Sequence, residues 1–169
     1  MSGYICLDSN ISGWVFRDSE ADISQDSIAN YNKANSLIPK LSDSGFSLLI
    51  PTIVLSELAS HYPESKQSIF YNNISKHGLY FWDFTSSTSR VLSRLLRKQY
   101  EDRNYSRQDI TKAKMKYDIQ ILACAIDAGS ECFYTEDSDY DIYKDLGQIA
   151  ILGLDDLPPS VVKGTLFEE

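Results

Sequence analysis

The chain is short of the residues on which much protein chemistry runs. It has two histidines, His61 and His77, far apart and without a companion ligand, which disfavours histidine acid–base catalysis and histidine-rich metal sites. Its three cysteines, Cys6, Cys124 and Cys132, are odd in number, sit in apolar runs and show no CxxC spacing. They read as reduced core residues, not as a disulfide framework or a zinc or redox centre. No GxGxxG follows the first apolar run, which argues against dinucleotide binding. Glycine and proline, 8 and 5 of 169, are too sparse for a low-complexity chain. No stretch reaches the roughly 18 consecutive apolar residues that a bilayer span requires. Met1–Leu7 lacks the charged start and apolar run of a signal peptide. The expectation is a cytoplasmic protein without a membrane segment.

What is present suits one compact domain: 169 residues, 43% hydrophobic and 24% charged, enough to bury a real core. The net charge of −8 opposes a polyanionic partner, but it is unevenly spread. From Arg90 to Lys116 nine basic residues face three acidic ones, a local +6, while the remainder carries −14. Arg90, Arg94, Arg97, Lys98 and Lys116 are the candidate nucleic-acid contacts of this strip; a solvated helix face is the competing reading.

Short apolar runs at Tyr4–Leu7, Phe46–Ile50, Leu79–Phe84, Cys132–Tyr134 and Ile149–Leu154 predict buried strands, each ending at polar, Pro or Gly punctuation. Between them, helical spacing joins Ala34, Leu37, Ile38 and Leu41, then Val91, Leu92, Leu95 and Leu96, then Ile121, Leu122 and Ala125. Ser24, Pro51-Thr52 and Ser86–Ser89 offer helix starts, and Gly129 and Gly147 offer stops. Alternation of this kind predicts an α/β domain, its mostly parallel sheet covered by helices on both faces. The domain is expected to span 1–154, with a C-terminal tail over 155–169.

Four acids stand in odd places. Ligands of open parallel sheets collect beyond the carboxyl ends of the strands. Asp8 stands at one such end, Thr135 and Asp137 follow another, and Glu57 rides the helix entered from a third. On a helical wheel Asp118 falls among Ile121, Leu122 and Ala125, in the middle of an apolar stripe, where an uncompensated charge is costly. Individually, Asp8 or Asp137 would serve as a helix cap, Asp118 as a partner of Lys114 or Arg107, and Glu57 as a partly exposed acid. Jointly, four converging acids need a cation, and a hard, oxygen-loving ion, Mg²⁺ or Mn²⁺, fits. Asp139 and Asp141 are spare acids expected at the surface, with Asp139 a supporting candidate, and Tyr140 is expected to pack.

Four segments resemble the PIN-domain ribonucleases, whose members include the VapC-like toxins of bacterial toxin–antitoxin pairs. They are Ile5-Cys6-Leu7-Asp8-Ser9-Asn10, Pro51-Thr52-Ile53-Val54-Leu55-Ser56-Glu57-Leu58, Asp118-Ile119-Gln120-Ile121-Leu122-Ala123-Cys124-Ala125 and Thr135-Glu136-Asp137-Ser138-Asp139-Tyr140. The resemblance spans roughly residues 3–154. It implies a three-layer domain with a five-stranded sheet, and a Mg²⁺- or Mn²⁺-dependent endoribonuclease, with one or two ions, acting on single-stranded RNA. Asp8, Glu57, Asp118 and Asp137 would be catalytic and metal-binding, with Asn10 and Thr135 orienting them. It also implies an antitoxin partner or a homodimer. The segment 85–111 looks longer than in the compact toxins. The competing function is a catalytically weak PIN-like module that works by protein binding. An aspartyl-phosphate enzyme would want Asp-x-Asp at the first strand end, where Asn10 stands instead.

Overall fold

A computed structural model of the chain describes residues 3–16, 24–75, 78–101, 112–146 and 148–159. Strand β1 (Tyr4–Leu7) leads into helix α1 (Ser9–Val15), and α2 (Gln25–Asp43) precedes β2 (Ser47–Pro51). Then come α3 (Thr52–Ser60), α4 (Glu64–Ser75), β3 (Tyr80–Trp82), α5 (Ser86–Glu101) and α6 (Lys112–Asp127). Strand β4 (Cys132–Tyr134), a 3-10 helix (Ser138–Leu146) and β5 (Ala150–Leu152) complete the domain. All five predicted strands are present.

The strands form one parallel sheet in the order β3-β2-β1-β4-β5. Successive side chains of a strand face opposite ways, and here both faces are apolar. Cys6 and Phe133 point into a core with Val54, Leu58, Leu95 and Leu122. Their neighbours Ile5, Leu7, Cys132 and Tyr134 point into a second core with Ile11, Leu37 and Leu41. Burial on both faces explains why β1, β2 and β4 read as unbroken apolar runs, whereas the edge strand β3 exposes Tyr80 and Phe81. All three cysteines are buried and free.

From β1 the chain moves outward to β2 and β3, and it later returns on the other side as β4 and β5. The order therefore switches between β1 and β4, where a crevice opens beyond the strand ends. Gly129, at φ +68°, provides the left-handed turn that ends α6. Ser24 stands at the N-cap position of α2, its hydroxyl bonding the Ser27 hydroxyl at 3.0 Å and not a helix N–H; Gly147 lies outside the described residues.

Two contacts place the remaining parts. Thr88 Oγ1 donates to Asp127 Oδ2 at 2.6 Å, and Trp82 Nε1 donates to the same oxygen at 3.2 Å. The start of α5 is thus clipped to the end of α6, and the two helices run antiparallel. At the start of the predicted tail, Lys33 pairs with Asp155 at 2.6 Å and Tyr134 donates to the Asp156 carbonyl at 3.0 Å. Residues 160–169 and 102–111, the latter within the long segment noted above, lie outside the described residues. None of the described helices is long and apolar enough to cross a membrane.

Candidate metal centre

The crevice between β1 and β4 is acidic. Leu7 pairs with Tyr134, so the next residues, Asp8 and Thr135, emerge side by side. The Asp8 N–H donates to the Tyr134 carbonyl at 3.0 Å, and Thr135 N–H to that of Leu152 at 2.9 Å. Asp8 is only 2% exposed. Its Oδ1 accepts the Ser9 N–H at 2.7 Å and its Oδ2 accepts the Thr135 hydroxyl at 2.8 Å. Asp8 therefore does cap α1, and it also faces the crevice.

Asp137 enters through a linked set of contacts. Its N–H donates to Thr135 Oγ1 at 3.0 Å, while its Oδ1 accepts the Asp139 N–H at 2.9 Å as the 3-10 helix begins. That turn carries Asp139 inward. Expected at the surface, Asp139 is half-buried and stands with Asp118 and Asp137, one carboxylate oxygen of each lying within 4.8 Å of the others. The physical reason is local: an Asx-type contact bends the chain immediately after β4. Asp141 is exposed and pairs with Lys144 at 2.8 Å.

Asp118 stands on α6 beside the buried Ile119, Ile121 and Leu122, and is itself half-buried. The Lys114 side chain and Arg107, weighed as its partners, lie outside the described residues. Tyr140 packs edge-on against Phe133 at 4.9 Å between ring centroids. Its hydroxyl lies 3.1 Å from the Asp118 carbonyl and 3.4 Å from Asp8 Oδ1. It bridges the two acid-bearing segments, a role no sequence pattern distinguished from packing.

Asp8, Asn10, Glu57, Tyr117, Asp118 and Asp137 line one cleft of about 460 Å³. Glu57 is half-buried, Asn10 is exposed, and Tyr117, missed in the sequence, stands at the rim at 39% exposure. Burial pushes the Asp8 carboxyl up to about 6; hydrogen bonds from Thr135 and Ser9 resist this, and the charges of Asp137 and Glu57 add to it. An all-carboxylate set in which one acid is held against ionisation suits a hard divalent cation, whose charge would favour the ionised form.

Thr135→Val should cost about 1–3 kcal/mol of stability at neutral pH, because the buried carboxylate loses a donor. The loss should shrink toward pH 4, where Asp8 is protonated; chemical denaturation at the two pH values measures it.

Of the basic strip, Arg90 and Arg94 are exposed on α5, and Lys98 is half-buried. Arg97 is exposed but tied to Glu101 at 2.7 Å. The Lys116 side chain lies outside the described residues. Antiparallel pairing of α5 and α6 has a spatial consequence. Asp118 stands nine residues before the clipped Asp127, and Arg97 nine after Thr88, so at about 1.5 Å per residue both lie about 13 Å along the hairpin from the clip. Arg97, within the strip, is therefore level with Asp118 along the helix pair.

Neither a family model nor a curated protein matches the chain. Among solved structures, it is similar to VapBC2 from Rickettsia felis bound to a DNA fragment from their promoter. That similarity has 17% identity, covers 89% of this chain and 98% of that one, and gives a TM-score of 0.56. DNA-bound VapBC from Salmonella typhimurium aligns over 91% and 99% at 16% identity, with a TM-score of 0.46. The Rickettsia likeness, together with the sheet order and two-sided helical cover, establishes that this chain has a PIN-like three-layer α/β fold.

Proposed function

We propose that the protein is a Mg²⁺- or Mn²⁺-dependent endoribonuclease acting on single-stranded RNA, the toxin-type member of a toxin–antitoxin pair. One observation carries this reading: Asp8, Glu57, Asp118 and Asp137 share a cleft at the switch point of the sheet, with Asp139 beside them.

Asp137 and Asp8 would hold the ion most directly. Asp118 and Asp139 extend the carboxylate set, and Glu57 acts directly or through a water. When bound, such an ion supplies Lewis-acid stabilisation of phosphoryl charge and activation of water at neutral pH. The chain's own residues prepare that site. Thr135 and the Ser9 N–H fix both oxygens of Asp8, and the Thr135 hydroxyl oxygen also takes the Asp137 N–H, so two acids are oriented through one side chain. Tyr140 ties α6 to the strand ends. No side-chain nucleophile is required. Cleavage of single-stranded RNA by purified, partner-free protein in Mn²⁺, abolished by EDTA, is the expected result; intact RNA at saturating Mn²⁺ would return the site to a non-catalytic role.

The basic strip supports RNA as the polyanion, since it brings positive charge level with Asp118 of the cleft. Neutralising Arg90, Arg94 and Arg97 together should weaken RNA binding and reduce the slope of log affinity against log salt by about two, with single-strand contacts worth about 0.7 each. Arg97 should contribute least, because Glu101 already holds it. An unchanged slope would make the strip a solvated face.

A protein-binding role has its own support. Tyr80 and Phe81 on edge strand β3, and Phe84 after it, are exposed at 43–51%, and unguarded apolar edges mark association surfaces. An antitoxin-type partner or a second copy of the chain is proposed there. The domain limits of 1–154 and the cytoplasmic location remain part of the same proposal.

A further inference from the structure

A second concavity, of about 730 Å³, runs out from the acid cleft between α1, α3 and the start of α4, and shares Ser9, Asn10 and Glu57 with it. We infer that this groove seats an unpaired nucleotide next to the scissile phosphate, with the base on an aromatic wall and the backbone on Lys66 and His61. The inference rests on the nuclease reading for its orientation and deepens it by giving the cleft a single-strand subsite.

Four features point to a nucleic-acid strand. First, the wall is aromatic: Trp14, Phe16 and Tyr62 are half-buried there, and Phe70 lies buried behind Tyr62 at 4.8 Å between ring centroids. Rings held in this way present faces on which bases of any sequence stack. Second, the charge changes along the groove. Glu57 stands at the metal end, and His61, the residue that ends α3 four positions on, is followed along the groove by Lys66 on α4. A cation and a ring N–H donor beyond an acid cleft suit a phosphate entering from that side. Third, the floor is held in shape: the Gln67 amide donates to the Ala59 and Tyr62 carbonyls at 3.5 and 3.4 Å, fixing the α3–α4 turn. Fourth, Gly13 leaves room. A Cβ there would meet only Leu58 Cδ2, at an ordinary 3.6 Å, so a side chain can be added at this groove-lining position without a close backbone contact.

A duplex cannot use this subsite, because its bases are stacked on each other and paired. The groove thereby supplies a physical reason for single-strand preference that the acid cleft alone does not contain.

The test uses the full-length protein in EDTA, so that binding is read without cleavage. A fluorescein-labelled oligouridylate carrying one 5-iodouridine serves as probe. Photo-cross-links are expected on the peptides holding Trp14, Phe16 or Tyr62. Lys66→Gln, an exposed change, should lower affinity and remove a little under one from the salt slope. Gly13→Leu should lower affinity about tenfold, the scale of one lost base stack, with the salt slope unchanged. The same strand within a duplex should show neither effect. Cross-links confined to other surfaces, or wild-type affinity in both variants, would overturn the subsite, as would a groove that takes a peptide and leaves oligouridylate binding untouched. Cleavage in Mn²⁺ is scored in parallel. RNA cut by a protein that fails these tests overturns the subsite alone, whereas groove cross-links without cleavage overturn the nuclease reading alone.

Discussion

Asp137→Asn should lower Mn²⁺-dependent RNA cleavage by at least about a thousandfold, some 4 kcal/mol of transition-state stabilisation, while the fold survives. The residue is half-buried; its N–H donates to the Thr135 hydroxyl oxygen, its Oδ1 accepts the Asp139 N–H, and its backbone carbonyl accepts the Tyr140 N–H at 3.3 Å. An asparagine keeps the backbone and one side-chain carbonyl oxygen, so these contacts persist. What disappears is the charge and one ligand oxygen. Circular dichroism and melting should therefore match wild type in EDTA, with cleavage in Mn²⁺ lost. Normal cleavage would remove Asp137 from the site; loss of fold would make its role structural.

Asp8→Asn should stabilise the metal-free protein at neutral pH, by about 1–2 kcal/mol. The sign follows from linkage. With its carboxyl raised to about 6 from an unfolded value near 4, native Asp8 binds more protons than unfolded Asp8 between those values. Stability then falls as pH rises through that window, by up to about 3 kcal/mol at about 1.4 per pKa unit. Asparagine carries no such dependence. Part of the gain is returned, because its amide cannot accept both the Ser9 N–H and the Thr135 hydroxyl, and one hydrogen bond is worth about 1 kcal/mol. Denaturation in EDTA should show the variant and wild type close at pH 4 and separated at pH 7.5. Added Mn²⁺ should reverse the order, since a ligand stabilises the state that binds it. A variant less stable than wild type at pH 7.5 without metal would mean that capping α1 outweighs the buried charge.

The strands and the four acids were legible in the sequence for one reason. Doubly covered strands must be apolar runs, and an acid that breaks such a run, as Asp8 does, or interrupts an apolar helix face, as Asp118 does, stands out against it. Helices α1 and α4 were not legible. The first has seven residues and begins in polar Ser9-Asn10, and the second, among its described residues, buries only Phe70 and Ile74 while leaving Ile69 and Tyr71 exposed, too little periodicity to mark either. Asp139 is legible only as a supporting candidate beside Asp137, because its inward turn depends on a hydrogen bond to Asp137 that spacing does not encode. Tyr140 was legible as a packed ring; the reach of its hydroxyl to two acid-bearing segments depends on how β4 and α6 meet. The groove beside Glu57 is assembled from α1, α3 and α4, so only the folded chain brings its aromatic residues together.

The most direct test of the central claim is anomalous scattering from a crystal soaked in Mn²⁺. A peak is expected within bonding distance of Asp137 and of at least one of Asp8 and Asp118, and is expected to vanish in Asp137→Asn. No peak in this cleft at saturating Mn²⁺, or a peak bound only elsewhere, would mean that these carboxylates do not form a metal centre.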